Sequence, residues 1–233
     1  MKLTRNTKKV MLLAAVFIIY TILIIKVDVQ PIGPHGSPVG FGSLNALFAK
    51  LFKYRWVWYI FSKITGYIGF AVIGLYAFFG ALELYKRKKL FKVDRDILIL
   101  GCFYILVGIY YLLFNAIAIN FRPVVLEDVL EASYPSSHTV MGICVFLSAE
   151  RLEALGKNGG NELFRNCLKI LALLTVFFRM MSGVHWITDI IGGVALSAFL
   201  LAVFDWALER FGVVAPEAEE AKPAARKTRS SNN

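Results

Sequence analysis

Charged residues are scarce in this chain. Asp, Glu, Lys and Arg make up 18% of its 233 residues, while 58% are hydrophobic. That balance excludes an ordinary soluble domain and points to a helical membrane protein. Cysteine is rare as well. Cys102, Cys144 and Cys167 stand far apart in apolar segments, with no metal-ligand spacing. They give no sign of a disulfide framework and read as small buried hydrophobes. No internal repeat is present. No basic stretch is interleaved with aromatics in a polar context, so nucleic acid is not an expected partner. The first 27 residues lack the small-residue cleavage site of a signal peptide, because Lys26-Val27-Asp28 follows the apolar run Val10 to Ile25. An uncleaved first span fits better.

Apolar runs are what the chain has in quantity. Six can be drawn: about Val10 to Ile25, Trp56 to Leu84, Ile97 to Ile119, His138 to Leu155, Asn166 to Phe178 and Trp186 to Phe211. The fourth and fifth are short for a span of roughly 20 residues. The expected fold is an all-α integral membrane protein, with about six transmembrane helices in a bundle. An interfacial amphipathic helix is expected besides, because Leu44, Leu47, Phe48, Leu51 and Phe52 recur at helical spacing after a Gly/Pro-rich stretch. Trp56, Trp58 and Tyr59 follow where an aromatic belt belongs. Residues 1–214 read as one membrane domain. Residues 215–233 are Ala-, Pro- and charge-rich and read as a disordered cytoplasmic tail.

The net charge of +10 fits the same picture. With the N-terminus inside, 19 of the 26 Lys and Arg residues fall on the inner side, chiefly in 2–9, 86–95, 151–169 and 210–229. This is a positive-inside arrangement with both termini cytoplasmic, in what is expected to be a bacterial plasma membrane. It places Arg122, His138, Arg179 and His185 on the outer side.

Those four residues belong to the constellation that carries chemistry. Ionisable groups at the edges of apolar helices are expensive to place and mark function by default. His185 and Asp189 are four residues apart, one helical turn on one face. The carboxylate is expected to accept a hydrogen bond from one imidazole nitrogen and leave the other free to attack. Pro135-Ser136-Ser137-His138 reads as a helix start. Serine is a favoured cap there, and free backbone N–H groups suit a phosphate. His138 is placed to act as general acid. Arg122 and Arg179 offer planar forks that match phosphate oxygens. His35, in the Gly/Pro-rich loop, reads as ordinary surface.

These residues resemble the type 2 phosphatidic acid phosphatase superfamily. Its three blocks are Lys-(six)-Arg-Pro, Pro-Ser-Gly-His and Ser-Arg-(five)-His-(three)-Asp. Here they stand as Asn115-(six)-Arg122-Pro123, Pro135-Ser136-Ser137-His138 and Phe178-Arg179-(five)-His185-(three)-Asp189. The resemblance implies a metal- and cofactor-independent phosphatase of lipid phosphates with a phosphohistidine at His185. It implies acid/base work by His138, orientation by Asp189, and phosphate binding by Arg122, Arg179 and Ser136, with Ser137 and Asn115 at the matching positions. Three positions depart. Ser137 replaces glycine, Phe178 replaces serine, and Asn115 replaces a phosphate-facing lysine. Asn115→Lys is expected to raise turnover on phosphate monoesters.

The expected substrate is phosphatidic acid, phosphatidylglycerol phosphate or undecaprenyl diphosphate, with its tail in the bilayer. A lipid-phosphate transferase sharing the same histidine, and a non-catalytic lipid-binding or transport relative, remain alternatives. The sequence does not set the oligomeric state.

Overall fold

The computed structural model describes residues 4–126, 128–156 and 159–214. The tail expected over 215–233 lies outside them. The described chain is all helical apart from three isolated β-bridges: α1 Arg5–Lys26, α2 Gly42–Leu51, α3 Trp56–Arg87, α4 Arg95–Ala116, α5 Ser137–Leu155, α6 Glu162–Met181 and α7 Ile187–Arg210. Short 3-10 turns sit at Pro34–Gly36 and Leu90–Lys92.

By length and composition α1, α3, α4 and α7 can each cross a membrane. Their outward faces carry exposed apolar side chains, such as Leu12 and Ile19 on α1, Phe70 on α3 and Ile105 and Leu112 on α4. So much exposed apolar surface calls for lipid. α5 and α6 have 19 and 20 residues. At 1.5 Å per residue that is about 30 Å, the thickness of the hydrocarbon core. The boundaries differ from the sequence reading chiefly at α6, which is longer at both ends than Asn166 to Phe178. The extra turns carry Glu162, Arg165 and Arg179, which a hydropathy reading trims away.

α5 runs through the middle. One side joins Val140, Cys144 and Leu152 to Leu196, Leu200 and Phe204 of α7 and Leu100 and Phe103 of α4. The other joins Val145, Phe146 and Ala149 to Val72 of α3 and Leu168 and Ala172 of α6. Small residues allow this close approach, as they do generally between membrane helices. A Cβ on Gly142 would stand 2.5 Å from Thr175 Cγ2 of α6, and one on Gly193 would stand 3.0 Å from Thr139 Cβ. Of the cysteines, Cys144 is buried as expected, whereas Cys102 and Cys167 are exposed. They lie on the outer faces of α4 and α6, which the bundle does not cover.

α2 forms over the stretch where the sequence reading expects an amphipathic helix. Leu44, Leu47 and Leu51 are exposed, while Asn45 is fully buried. The Asn45 amide donates to Gly40 O and to Thr188 Oγ1, each at 2.8 Å, and so pins α2 to α7. The loop before it folds back through Gln30 and Val39, and His35 is exposed at its tip.

Charges gather at the far ends of α5, α6 and α7. Asp205 of α7 meets Arg151 Nε at 2.6 Å and Lys9 Nζ at 3.5 Å. Glu150 of α5 meets Arg165 at 3.0 Å and Lys169 at 3.3 Å. The opposite end of the bundle holds the three sequence blocks.

Candidate active site

The site is assembled from helix ends. Arg179 is in the last turn of α6, and His185 lies in the short link between α6 and α7. Asp189 is in the first turn of α7, His138 in the first turn of α5, and Arg122 in the segment joining α4 to α5. Gly183 makes the α6–α7 link possible. Its φ is +68°, and a Cβ there would stand 2.5 Å from Phe52 O. Only glycine holds that conformation at that distance without strain.

Arg179 is fully buried. Its Nη2 is 2.9 Å from His185 Nε2, its Nη1 donates to Ser62 Oγ at 3.2 Å, and its guanidinium lies over the Tyr59 ring at 5.9 Å. No carboxylate among the described residues is within ion-pair distance of it. Arg122 and His138 both lie within electrostatic reach of His185. Burial first, then Arg179 and Arg122, holds the His185 imidazole well below its ordinary pKa. The ring is therefore neutral, as a nucleophile must be. Since an arginine only donates, Nε2 is the accepting nitrogen and Nδ1 carries the hydrogen.

Asp189 departs from the expected arrangement. Its Oδ2 is 3.7 Å from His185 Nδ1, too far for a hydrogen bond. The physical reason is that α7 starts at Ile187, so His185 precedes the helix and does not share a face with Asp189. The carboxylate instead accepts from the Trp186 N–H at 3.2 Å and from Asn120 Nδ2 at 2.9 Å. The backbone carbonyl of Ser133, rather than Asp189, is the acceptor set toward the His185 ring. Asp189 Oδ2 still lies within ion-pair distance of Nδ1.

Ser136 occupies the N-cap position of α5 but does not cap with its side chain. It is fully buried. Its Oγ accepts from Thr139 Oγ1 at 3.0 Å, and its N–H donates to the Asp189 carbonyl at 3.0 Å. Its role here is to fasten α5 to α7. Phe178 accounts for its own departure from serine by stacking on Trp58 and Phe61 of α3, at centroid distances of 5.8 and 5.3 Å.

A cavity of about 470 Å³ lies between α3, α4, α5, α7 and the α4–α5 segment. Arg122, Ser137, His138 and Asn115 form its polar end, and Phe70, Ile73, Val107 and Leu196 line the apolar remainder. Arg122 is paired with Glu131 through a close side-chain contact, and its N–H donates to Glu131 O at 3.0 Å. Asn115 is exposed at the end of α4. Among the described residues no three His, Cys, Asp or Glu side chains are grouped as metal ligands.

Sequence reasoning misses Asn120, Glu131, Ser62, Tyr59 and Lys63. The first two are single polar residues in an irregular segment and carry no pattern. The other three do carry one: with Gly66 they recur at i, i+3, i+4 and i+7 along α3. That spacing marks a face turned to the site.

Comparison with known proteins fits this geometry. The family model of the PAP2 superfamily matches residues 68–211, well over half of the chain. Among solved structures the chain is similar to "Crystal structure of the first transmembrane PAP2 type phosphatidylglycerolphosphate phosphatase from Bacillus subtilis", at 21% identity and a TM-score of 0.60. The match covers 87% of this chain and 96% of that one, and it shows a shared fold. No curated protein matches the chain. With its three motif blocks gathered at one end of an apolar helical bundle, the chain belongs to the PAP2 superfamily.

Proposed function

We propose that the chain is a metal-independent phosphatase of a lipid phosphate, acting at the extracytoplasmic face through a phosphohistidine at His185. One observation carries this reading. A fully buried arginine, with no carboxylate partner among the described residues, rests on Nε2 of a neutral histidine. A buried cation is costly until an anion completes it. An anion bound to Arg179 would lie against the one nitrogen able to attack it.

The chemistry follows from that contact. Phosphate oxygens take over the N–H groups of Arg179, which frees the Nε2 lone pair, and Arg122 binds from the cavity side. Nε2 attacks phosphorus and forms the P–N bond while the P–O bond to the lipid breaks. The bound anionic phosphate offsets the neighbouring arginines, so His138 takes up a proton with the substrate and donates it to the departing oxygen. Water then gives a proton to His138 and attacks phosphorus, the P–N bond breaks, and inorganic phosphate leaves. Asp189, 3.7 Å from Nδ1, stabilises the positive charge that develops on the imidazole, and Ser136 keeps α5 in register with α7. The apolar stretch of the cavity suits a lipid tail.

The outer-face assignment takes six spans with both termini inside, which puts the basic turns at the end of α3 and the start of α6 on the cytoplasmic side. Phosphatidic acid, phosphatidylglycerol phosphate and undecaprenyl diphosphate are the lipids to compare. The test uses the purified protein in detergent without added metal. Phosphate release from at least one lipid is expected, with an acid-labile, base-stable phosphoryl label that His185→Ala removes. The same variant should lower turnover by at least roughly 10³-fold. No release from any of these lipids, or a label that persists in His185→Ala, refutes the reading.

A further inference from the structure

The first-block lysine of the resemblance is absent, and Asn115 in its place is neutral and exposed. Arg122, the next cation, already shares its charge with Glu131. A phosphate monoester carries close to two negative charges at neutral pH, so the site as described is short of cations.

α3 supplies one. Tyr59, Ser62, Lys63 and Gly66 fall on one helical face. Three of these four meet the site directly. Tyr59 lies under the Arg179 guanidinium, Ser62 Oγ accepts from Arg179, and a Cβ on Gly66 would be 3.6 Å from His138 Cδ2. Lys63 stands between them. Its Nζ lies 4.9 Å from the centroid of the same Tyr59 ring. The lysine is half-buried and meets no carboxylate among the described residues. It sits seven residues into α3, or about 10 Å along the helix. Its side chain reaches one turn back along α3, as an interfacial lysine's would, but it ends over an aromatic ring that also carries Arg179. Its charge, with those of Arg179 and Arg122, reaches His138. It also lies outside residues 68–211, the part matched by the family model.

We propose that Lys63 is a substrate-binding residue of this site, a third phosphate-facing cation that makes up for the lysine missing at position 115. It binds an anionic oxygen of the lipid phosphate on the α3 side, opposite Arg122, and neutralises the transferring group beside His138. The inference rests on the phosphatase reading.

The test measures kcat, KM and the inhibition constant of inorganic phosphate in detergent, together with the thermal midpoint. Four proteins are compared: wild type, Lys63→Met, Lys63→Arg and Lys63→Met with Asn115→Lys. Losing a charged hydrogen bond to phosphate lowers kcat/KM roughly 10- to 100-fold, and Lys63→Met should show this. Phosphate inhibition should weaken by a similar factor. Lys63→Arg should retain most of both, and Asn115→Lys should recover part of what Lys63→Met loses. Wild-type kcat/KM and phosphate inhibition in Lys63→Met would overturn the proposal. So would a loss that neither the arginine nor Asn115→Lys recovers and that comes with a lowered thermal midpoint, since that describes a structural lysine. His185→Ala is run alongside. If the wild type is active and His185→Ala is dead while Lys63→Met is unimpaired, only the Lys63 assignment fails. If the wild type releases no phosphate, the phosphatase reading itself fails.

Discussion

At the scale of single residues, the site is a set of polar groups that each need a buried partner, and Asn120 decides how one of them stands. It is 1% exposed and donates to Asp189 Oδ1 at 2.9 Å. Asp189 is fully buried, and the Trp186 N–H and the Ser133 side chain are its other donors. Removing a donor from a buried carboxylate costs about 1.5–3 kcal/mol. Asn120→Leu should therefore lower kcat by roughly 10- to 100-fold, because a poorly held Asp189 no longer keeps its carboxylate beside His185 Nδ1. Asn120→Asp should be worse, since it sets a second carboxylate beside the first. Both are read from kcat on the preferred lipid, with the thermal midpoint measured alongside. A wild-type kcat in Asn120→Leu would show that Asp189 is oriented without it. The residues of the three blocks are legible in the sequence because their spacing is local and their side chains are rare in apolar surroundings. Asn120 and Glu131 are not, because nothing along the chain announces that an isolated Asn or Glu will meet Asp189 or Arg122 across the fold. The hydrogen bond expected between His185 and Asp189 fails for a local reason. Four residues make one helical turn only if all of them are in the helix, and His185 is not.

At the scale of elements, the start of α5 is held against α7 by closeness. Tyr134 is 1% exposed, its hydroxyl shares a hydrogen bond of 2.8 Å with Thr21 of α1, and its ring lies where a side chain on Gly192 would go. A Cβ at Gly192 would be 2.4 Å from Tyr134 Cε2. Gly192→Ala must therefore push Tyr134 aside, and overpacking of this kind costs about 1–3 kcal/mol. The strain passes along the chain to Pro135, Ser136 and His138, so kcat should fall together with the thermal midpoint. Tyr134→Leu in the same chain makes room, and the double variant should be more stable than the sum of the two single losses. Strict additivity in thermal unfolding would mean that α5 and α7 do not depend on this contact. The elements themselves are largely legible, since α1, α3, α4 and α7 announce themselves by length and hydropathy. α5 and α6 are harder because hydropathy measures exposure to lipid. α5 is sheathed by its neighbours and can carry Ser148 and Glu150 in buried positions. α6 ends in charged turns that pair with α5 at one end and enter the site at the other.

At the scale of the whole molecule, the bundle has two unlike ends, and their orientation decides which leaflet feeds the site. One end carries α2, His185 and the α4–α5 segment. The other carries the α3–α4 turn and the ion pairs of Asp205 and Glu150. Three positions report on this arrangement. Lys50 is exposed on α2, Phe91 is 95% exposed between α3 and α4, and Glu162 is exposed at the start of α6. Each can be replaced by cysteine in a chain whose Cys102, Cys144 and Cys167 are changed to alanine. A membrane-impermeant maleimide on intact cells should label Lys50→Cys. It should label Phe91→Cys and Glu162→Cys only after the membrane is opened. Phe91 tests whether α3 crosses, because α3 alone separates it from α2. Glu162 tests whether α5 crosses, because α4 and α5 separate it from Phe91. If Glu162→Cys is labelled from outside while Phe91→Cys is not, α4 crosses and α5 does not, and the six-span bundle is wrong. If Phe91→Cys and Glu162→Cys are labelled from outside and Lys50→Cys is protected, the molecule is inverted. His185 would then face the cytoplasmic leaflet, and the substrate would be a lipid phosphate presented there.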